Sequence, residues 1–243
     1  MYVIREMEDA VADCKAGCEY CNDARVHAWD EAVAFYTGSI EDKNGNEGGK
    51  FLYRLAEKRC KNFKTCEGGE AKVNKKIRKY FTDGKRLLNQ GKCNEIHSIK
   101  EKIIDLMSIP LIQGTLRYAY KIARGEGSPK EKAEGIAFLG SILPRLDSCS
   151  KKDAEIVHKH MWFKGDMKTS KDGFKTVKEA FQRNYPCMNV KCADIGGHID
   201  ETDEYLKDFR PCTDRPNTSS VQKMMTSPLV IFLMVILNIQ RFR

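Results

Sequence analysis

His27-Ala28-Trp29-Asp30-Glu31-Ala32-Val33-Ala34-Phe35-Tyr36-Thr37-Gly38-Ser39, HAWDEAVAFYTGS, is a stretch of strong helix formers that carries a histidine, an aspartate and a glutamate within five residues. On a helical wheel turning about 100° per residue, Val26, Trp29, Val33 and Tyr36 share one side, with Ala28, Ala32 and Phe35 beside them. His27, Asp30 and Glu31 gather on the remaining arc, which continues into Ala34 and Gly38 rather than into lysines. A helix that only faced water would place long charged side chains there. Small residues leave space, so this arc is read as a candidate site on a helix whose other face is buried.

The same periodicity extends outward along the chain. Helical segments are predicted over Glu6–Cys21, Asp23–Thr37, Gly49–Cys60, Ala71–Asn89, Ser98–Arg124, Ser128–Leu146, Lys151–His160 and Gly173–Asn184, with Pro110 expected to break or kink the fifth. Ser128-Pro129-Lys130-Glu131 reads as a helix start, with a cap, a proline at the first position and an acid close behind. Gly-rich gaps separate the segments, and period-two runs of β-branched residues are rare. After Asn184 the chain reads as loop, with one last short helix expected from Asp200. The fold class is therefore all-α.

An internal echo suggests its plan. EAVAFYTGSI, Glu31 to Ile40, resembles EGIAFLGSIL, Glu134 to Leu143, at an offset of 103 residues. This predicts a helical bundle of two related half-domains with a site where they meet. Residues three and four apart are neighbours on a helix, so His27 with Asp30 or Glu31 can offer nitrogen and oxygen to one point. Glu134, matching Glu31, is the candidate from the facing half, and the set suits iron, manganese or zinc. The competing expectation is structural: Asp30 and Glu31 pair with an arginine such as Arg25 or Arg117, and His27 caps or packs.

The 243 residues suffice for a sizeable core, and 41% hydrophobic with 31% charged residues indicates a globular chain. The net charge is +8, much of it between Lys58 and Arg86, where KVNKKIRKY is densest. No nucleic-acid-binding motif accompanies that run, so it reads as a solvated helix face and no nucleic-acid partner is expected. Ten cysteines lie near element ends, the pattern of disulfides in an oxidising compartment. Zinc held by Cys14, Cys18 and Cys21 is the alternative for the first group. His158 and His160 read as surface residues, and HIDETDEY, His198 to Tyr205, as a solvated loop.

The termini add two expectations. MYVIREMEDAV lacks the apolar core of a signal peptide, so an oxidising location implies a start upstream of this chain. Leu229 to Leu237 is an unbroken apolar run behind a small, polar stretch at Asn217–Ser220 that includes a glycosylation sequon. The expected division is a helical domain over 1–213, a linker over 214–228, and a tail over 229–243 that tethers the chain to the cell membrane, as a short anchor or a lipid-anchor signal.

NDARVHAWDEAVAFYTGS, LAEKRCKNFKTC, IPLIQGTLRYAY and KAEGIAFLGSILPRL together resemble the algal Fe-assimilating family, low-iron-inducible and high-CO2-inducible secreted proteins that include the phytotransferrin domain. The likeness runs from about Cys14 to Cys212, and the chain holds a single copy of the domain. It implies extracellular or periplasmic residence and iron acquisition without catalysis. For the phytotransferrins it implies ferric iron bound with carbonate. Read onto this chain, the expected metal ligands are His27, Asp30, Glu31 and Glu134, which keep the motif. Hard Fe(III) prefers oxygen, so Tyr36, Tyr118 and Tyr120 are candidate phenolates. Arg117 could hold the carbonate or bicarbonate through its planar fork. The alternatives are a structural or adhesive surface module and, last, a metal-dependent enzyme acting on bicarbonate or a small acid; no nucleophile elbow, HExxH, phosphate loop or dinucleotide turn is present.

Overall fold

The computed structural model describes residues 2–17, 25–38, 49–162 and 173–214. Among them the chain is mostly helical, as the periodicity predicts: α1 (Tyr2–Lys15), α2 (Arg25–Thr37), α3 (Leu52–Phe63), α4 (Lys72–Asn89), α5 (Cys93–Ala123), α6 (Pro129–Cys149), α7 (Lys151–Met161), α8 (Gly173–Asn184) and α9 (Cys192–Ile195). The one sheet among them is a hairpin of β1 (Cys66–Glu67) and β2 (Glu70–Ala71). The helices belong to one compact unit, Met1–Cys212. No helix among the described residues is long and apolar enough to cross a membrane, and the expected linker and tail beyond Asp214 lie outside the described residues.

α5 is the axis of the bundle: α1, α3, α4, α6, α8 and α9 all pack on it. Its middle and second half are buried on most sides, as befits a helix surrounded by others. Ile103, Met107, Ile109, Pro110, Ile112, Leu116 and Ile122 are all buried. Pro110 does not end the helix, which continues to Ala123. Burial on all sides holds the chain helical where the missing N–H alone would release it. At the next helix, Ser128 accepts from the Glu131 backbone N–H at 3.2 Å, the Glu131 carboxylate accepts in return from the Ser128 N–H at 3.1 Å, and Pro129 occupies the first helical position.

Four disulfides staple the described residues: Cys14–Cys93, Cys60–Cys66, Cys149–Cys187 and Cys192–Cys212. Pairing with Cys93 removes Cys14 as a zinc-binding thiolate; Cys18 and Cys21 lie outside the described residues. The basic run forms the outer face of α4. Lys76 pairs with Asp194 at 2.9 Å, Arg78 with Glu70 at 2.9 Å and Lys85 with Asp30 at 2.7 Å, so acids from the rest of the bundle meet it.

The segment after Asp200 is not a helix. The Asp200 carboxylate accepts from the backbone N–H groups of Thr202 and Glu204 at 2.8 and 3.1 Å, turning the chain so that Ile199 bridges Tyr205. An aspartate that satisfies the N–H groups ahead of it can favour a tight turn over a helix start.

Candidate functional site

α2 buries the face its wheel predicts. Trp29, Ala32 and Tyr36 are fully enclosed, and Trp29 Nε1–H donates to the Phe81 carbonyl at 2.9 Å. Gly84 makes room for the indole, since a Cβ there would stand 2.1 Å from Trp29 Cζ2. The space expected beside Gly38 is filled: Gly38 has φ +80°, and the Phe51 ring lies where its side chain would be. Phe35, assigned to the apolar side, is 37% exposed and stacks on Tyr2 at 5.2 Å.

The polar arc of α2 faces solvent. His27 Nε2 stands 3.4 Å from Glu31 Oε1, with side chains 53% and 47% exposed. Asp30 accepts from Lys85 Nζ at 2.7 and 3.0 Å. Glu134, on α6, accepts instead from the Tyr118 hydroxyl and lies 4.0 Å from Lys130. His27, Asp30, Glu31 and Glu134 therefore do not form one ligand group; no cluster of three His, Cys, Asp or Glu side chains able to hold a metal occurs among the described residues. A lysine already answers Asp30, which is the structural alternative with Lys85 in place of Arg25 or Arg117.

Tyr36 is a core residue. Its hydroxyl donates to Asn74 Oδ1 at 2.5 Å, and Asn74 in turn donates to Glu57 at 2.5 Å and to the Tyr53 carbonyl at 3.1 Å. The buried Glu57 carboxylate also accepts from the Ala71 N–H at 3.1 Å. Burial, with the charges of Tyr53 and Glu57, pushes the Tyr36 phenol well above its ordinary range. Its proton belongs to this network, so it is not available as a phenolate ligand.

Three other predicted residues do come together where α5 meets α6. Tyr118 donates to Glu134, and Gly135 lets the helices approach: a Cβ there would lie 2.8 Å from Tyr118 Cβ. Phe138 stacks on the Tyr118 ring at 5.7 Å, and the Arg117 guanidinium lies 5.1 Å from its centroid. Desolvation and the bond to Glu134 push the Tyr118 phenol up to about 12.

Arg59, on α3, joins this corner. It is only 7% exposed, and its Nε and Nη1 have no hydrogen-bond partner; nor does Arg117 Nε. Desolvation and then the like charge of Arg117 pull Arg59 down to about 10, while Tyr118 and Glu134 act the other way. Buried polar groups are normally satisfied, and a charged one more so. The three orphaned nitrogens are all N–H donors on cations.

Beside Arg117 lies a cavity of about 170 Å³ lined by Arg117, Tyr120, Lys121, Arg124, His198 and Leu206, together with Glu126. Arg117, Lys121 and Arg124 line it because they fall at i, i+4 and i+7 on α5. Lys121 is paired with Glu131 and Arg124 with Glu126 at 2.6 Å, so Arg117 is the cavity-lining cation with an orphaned donor. Tyr120 lines the cavity and packs edge-on against Phe174 at 5.1 Å.

His198 arrives on a loop docked to the end of α3. Ile199 N–H donates to the Asn62 carbonyl at 2.9 Å and Leu206 N–H to the His198 carbonyl at 2.9 Å. Gly196 (φ +71°) allows the approach, because a Cβ there would stand 2.2 Å from the Phe63 carbonyl oxygen. Cys192–Cys212 closes the loop. Burial first, then the charges of Arg117, Arg59 and Lys121, depress the His198 imidazole to about 4.

Of the residues around this corner, Arg117, Tyr118, Tyr120 and Glu134 are named from the sequence, Glu134 as a partner of the α2 trio rather than of Tyr118; Arg59, Lys121, Arg124 and His198 are not named as site residues. The spacing of the α5 cations is a visible signal. Arg59 and His198 have no local one. Set against protein-family models, curated proteins and solved structures, the chain matches none.

Proposed function

We propose that this chain is a disulfide-stapled extracellular binding protein that holds a small oxyanion at the Arg59–Arg117 corner and, with that anion, carries ferric iron for acquisition. One observation carries the reading: a cavity-lining arginine, Arg117, whose buried Nε has no partner, with a second buried and under-bonded guanidinium, Arg59, close enough to act on it. An oxyanion supplies the acceptors and the negative charge that this corner lacks. The volume suits one small ion and falls below the roughly 300 Å³ at which drug-sized ligands begin.

The iron part follows from the family resemblance and from the Tyr118–Glu134 contact. A phenol oxygen and a carboxylate beside a doubly cationic corner are hard donors next to an anion pocket. The Tyr118 proton must leave when a metal binds, so uptake is expected to release protons. The residues on α2 contribute no ligand in this reading. Carbonate is the anion the resemblance implies.

Equilibrium dialysis against a weak ferric chelate tests it. Iron should be retained when bicarbonate is present and lost in Tyr118→Phe and Arg117→Met, with retention by Glu31→Ala unchanged. No retention by the wild-type chain under either condition defeats the iron reading. Loss in Glu31→Ala with retention in Tyr118→Phe moves the site to α2.

A further inference from the structure

The cavity carries one more chemical instruction, on its histidine. His198 Nδ1 lies 2.8 Å from the Ile199 carbonyl oxygen. A carbonyl can only accept, so Nδ1 carries the hydrogen. In the neutral ring Nε2 is then a lone pair, a pure acceptor. The ring lines the cavity, and Nε2 is not among the buried polar atoms left unsatisfied. Burial first, and then the neighbouring cations Arg117, Arg59 and Lys121, oppose a second proton, which keeps the ring in its accepting form.

The site thus presents two unlike demands. Arg117, which lines the cavity with an orphaned Nε, and the buried Arg59, whose charge reaches His198, call for negative charge. One imidazole lone pair calls for a hydrogen. Sulfate and carbonate meet only the first, with two charges and no proton. Hydrogencarbonate meets the second but brings a single charge. Hydrogenphosphate brings two charges and one hydroxyl.

We propose that this cavity selects a doubly charged, singly protonated oxyanion of the hydrogenphosphate type, with Arg59 and Arg117 supplying the positive field and His198 Nε2 accepting a hydrogen bond from the anion's hydroxyl. The proposal rests on the oxyanion reading above and adds His198 as the residue that determines which oxyanion. Rejection of sulfate follows from an acceptor facing an acceptor, a penalty of the kind that a site built for a hydroxyl imposes on an analogue without one.

Calorimetric titration of the full chain at pH 8 with sodium phosphate, sulfate and bicarbonate tests it. Phosphate should bind tighter than sulfate by about tenfold to a hundredfold, the worth of one hydrogen bond to a charged group, and tighter than bicarbonate. His198→Phe keeps a ring against Phe63 and Phe209 and should reduce phosphate to the level of sulfate while leaving sulfate binding in place. His198→Gln offers a carbonyl acceptor and should recover part of the preference. Equal binding of phosphate and sulfate by the wild type overturns the proposal and leaves the oxyanion reading standing. Binding of neither anion overturns both. A preference for phosphate that survives in His198→Phe also overturns it. As a second measurement, the Nε2 nitrogen resonance of His198 in the wild-type chain should move on adding phosphate and stay in place on adding sulfate; no movement with phosphate counts against the proposal regardless of how the variants fold.

Discussion

α2 and α6 share most of a repeated sequence phrase, and over the described residues they bury its matching positions alike. Ala32 and Tyr36 are enclosed on α2, as are Gly135 and Leu139 on α6; Phe35 and Phe138 sit on the half-open flank of each. What differs is the neighbour of the shared glutamate. Glu31 looks outward to His27 and lies near Glu6, whose carboxyl is held above its usual range by burial and by that proximity. Glu134 looks inward to the Tyr118 hydroxyl and into the field of Arg59. Both glutamates are partly exposed; the same sequence pattern pairs one with a surface histidine and sets the other against a tyrosine hydroxyl beside a buried arginine. A helix sets which residues share a face; only the partner helix decides whether that face becomes a site.

This comparison can be broken in graded ways. The largest effect is expected from Trp29→Ala, which removes a fully buried indole and its bond to the Phe81 carbonyl. Denaturant unfolding should show a loss of about 3–5 kcal/mol. A smaller loss would mean that α2 is not anchored as described. Next comes acid. The two histidines differ, with His27 exposed on α2 and His198 enclosed beside the α6 corner. The unfolded imidazole takes up a proton near its ordinary value of 6.5 and the folded one only near 4, so the unfolded state binds more protons in between. Stability attributable to His198 is therefore present above about pH 6.5 and lost as pH falls toward 4, by about 1–3 kcal/mol. His198→Phe should flatten that slope; an unchanged slope would place the acid sensitivity elsewhere.

Gly135→Ala probes the close approach that has no counterpart at Ala32. The added methyl meets Tyr118, and an overpacked contact of this kind costs about 1–3 kcal/mol, with reduced anion binding in the same sample. At the small end, Asp30→Asn breaks the exposed pair with Lys85 and should cost no more than about 1 kcal/mol, with anion binding untouched. A loss of binding there would return the site to α2.

The fold was largely legible because helical periodicity is local. Eight of the expected segments correspond to α1 to α8, with ends shifted by a few residues; α5 begins at Cys93 rather than Ser98 because Ile96 and Lys100 are buried with the rest of it. The missed elements depend on distant contacts. The hairpin at Cys66–Ala71 is held by the Cys60–Cys66 disulfide and by the Glu57 carboxylate on the Ala71 N–H. At the candidate site, Arg117, Tyr118 and Glu134 were within reach of the sequence because α5 and α6 are neighbours along the chain. Arg59 and His198 reach the same corner from 58 residues before Arg117 and 81 after it, and no spacing rule spans such distances.

The Cys14–Cys93 bridge spans the chain from α1 to the first residue of α5, and Cys149–Cys187 joins the end of α6 to the residues after α8. A single protease cut inside either span leaves both fragments on one covalent molecule. Copies nicked in this way would stay whole on a non-reducing gel and separate only when a thiol is added.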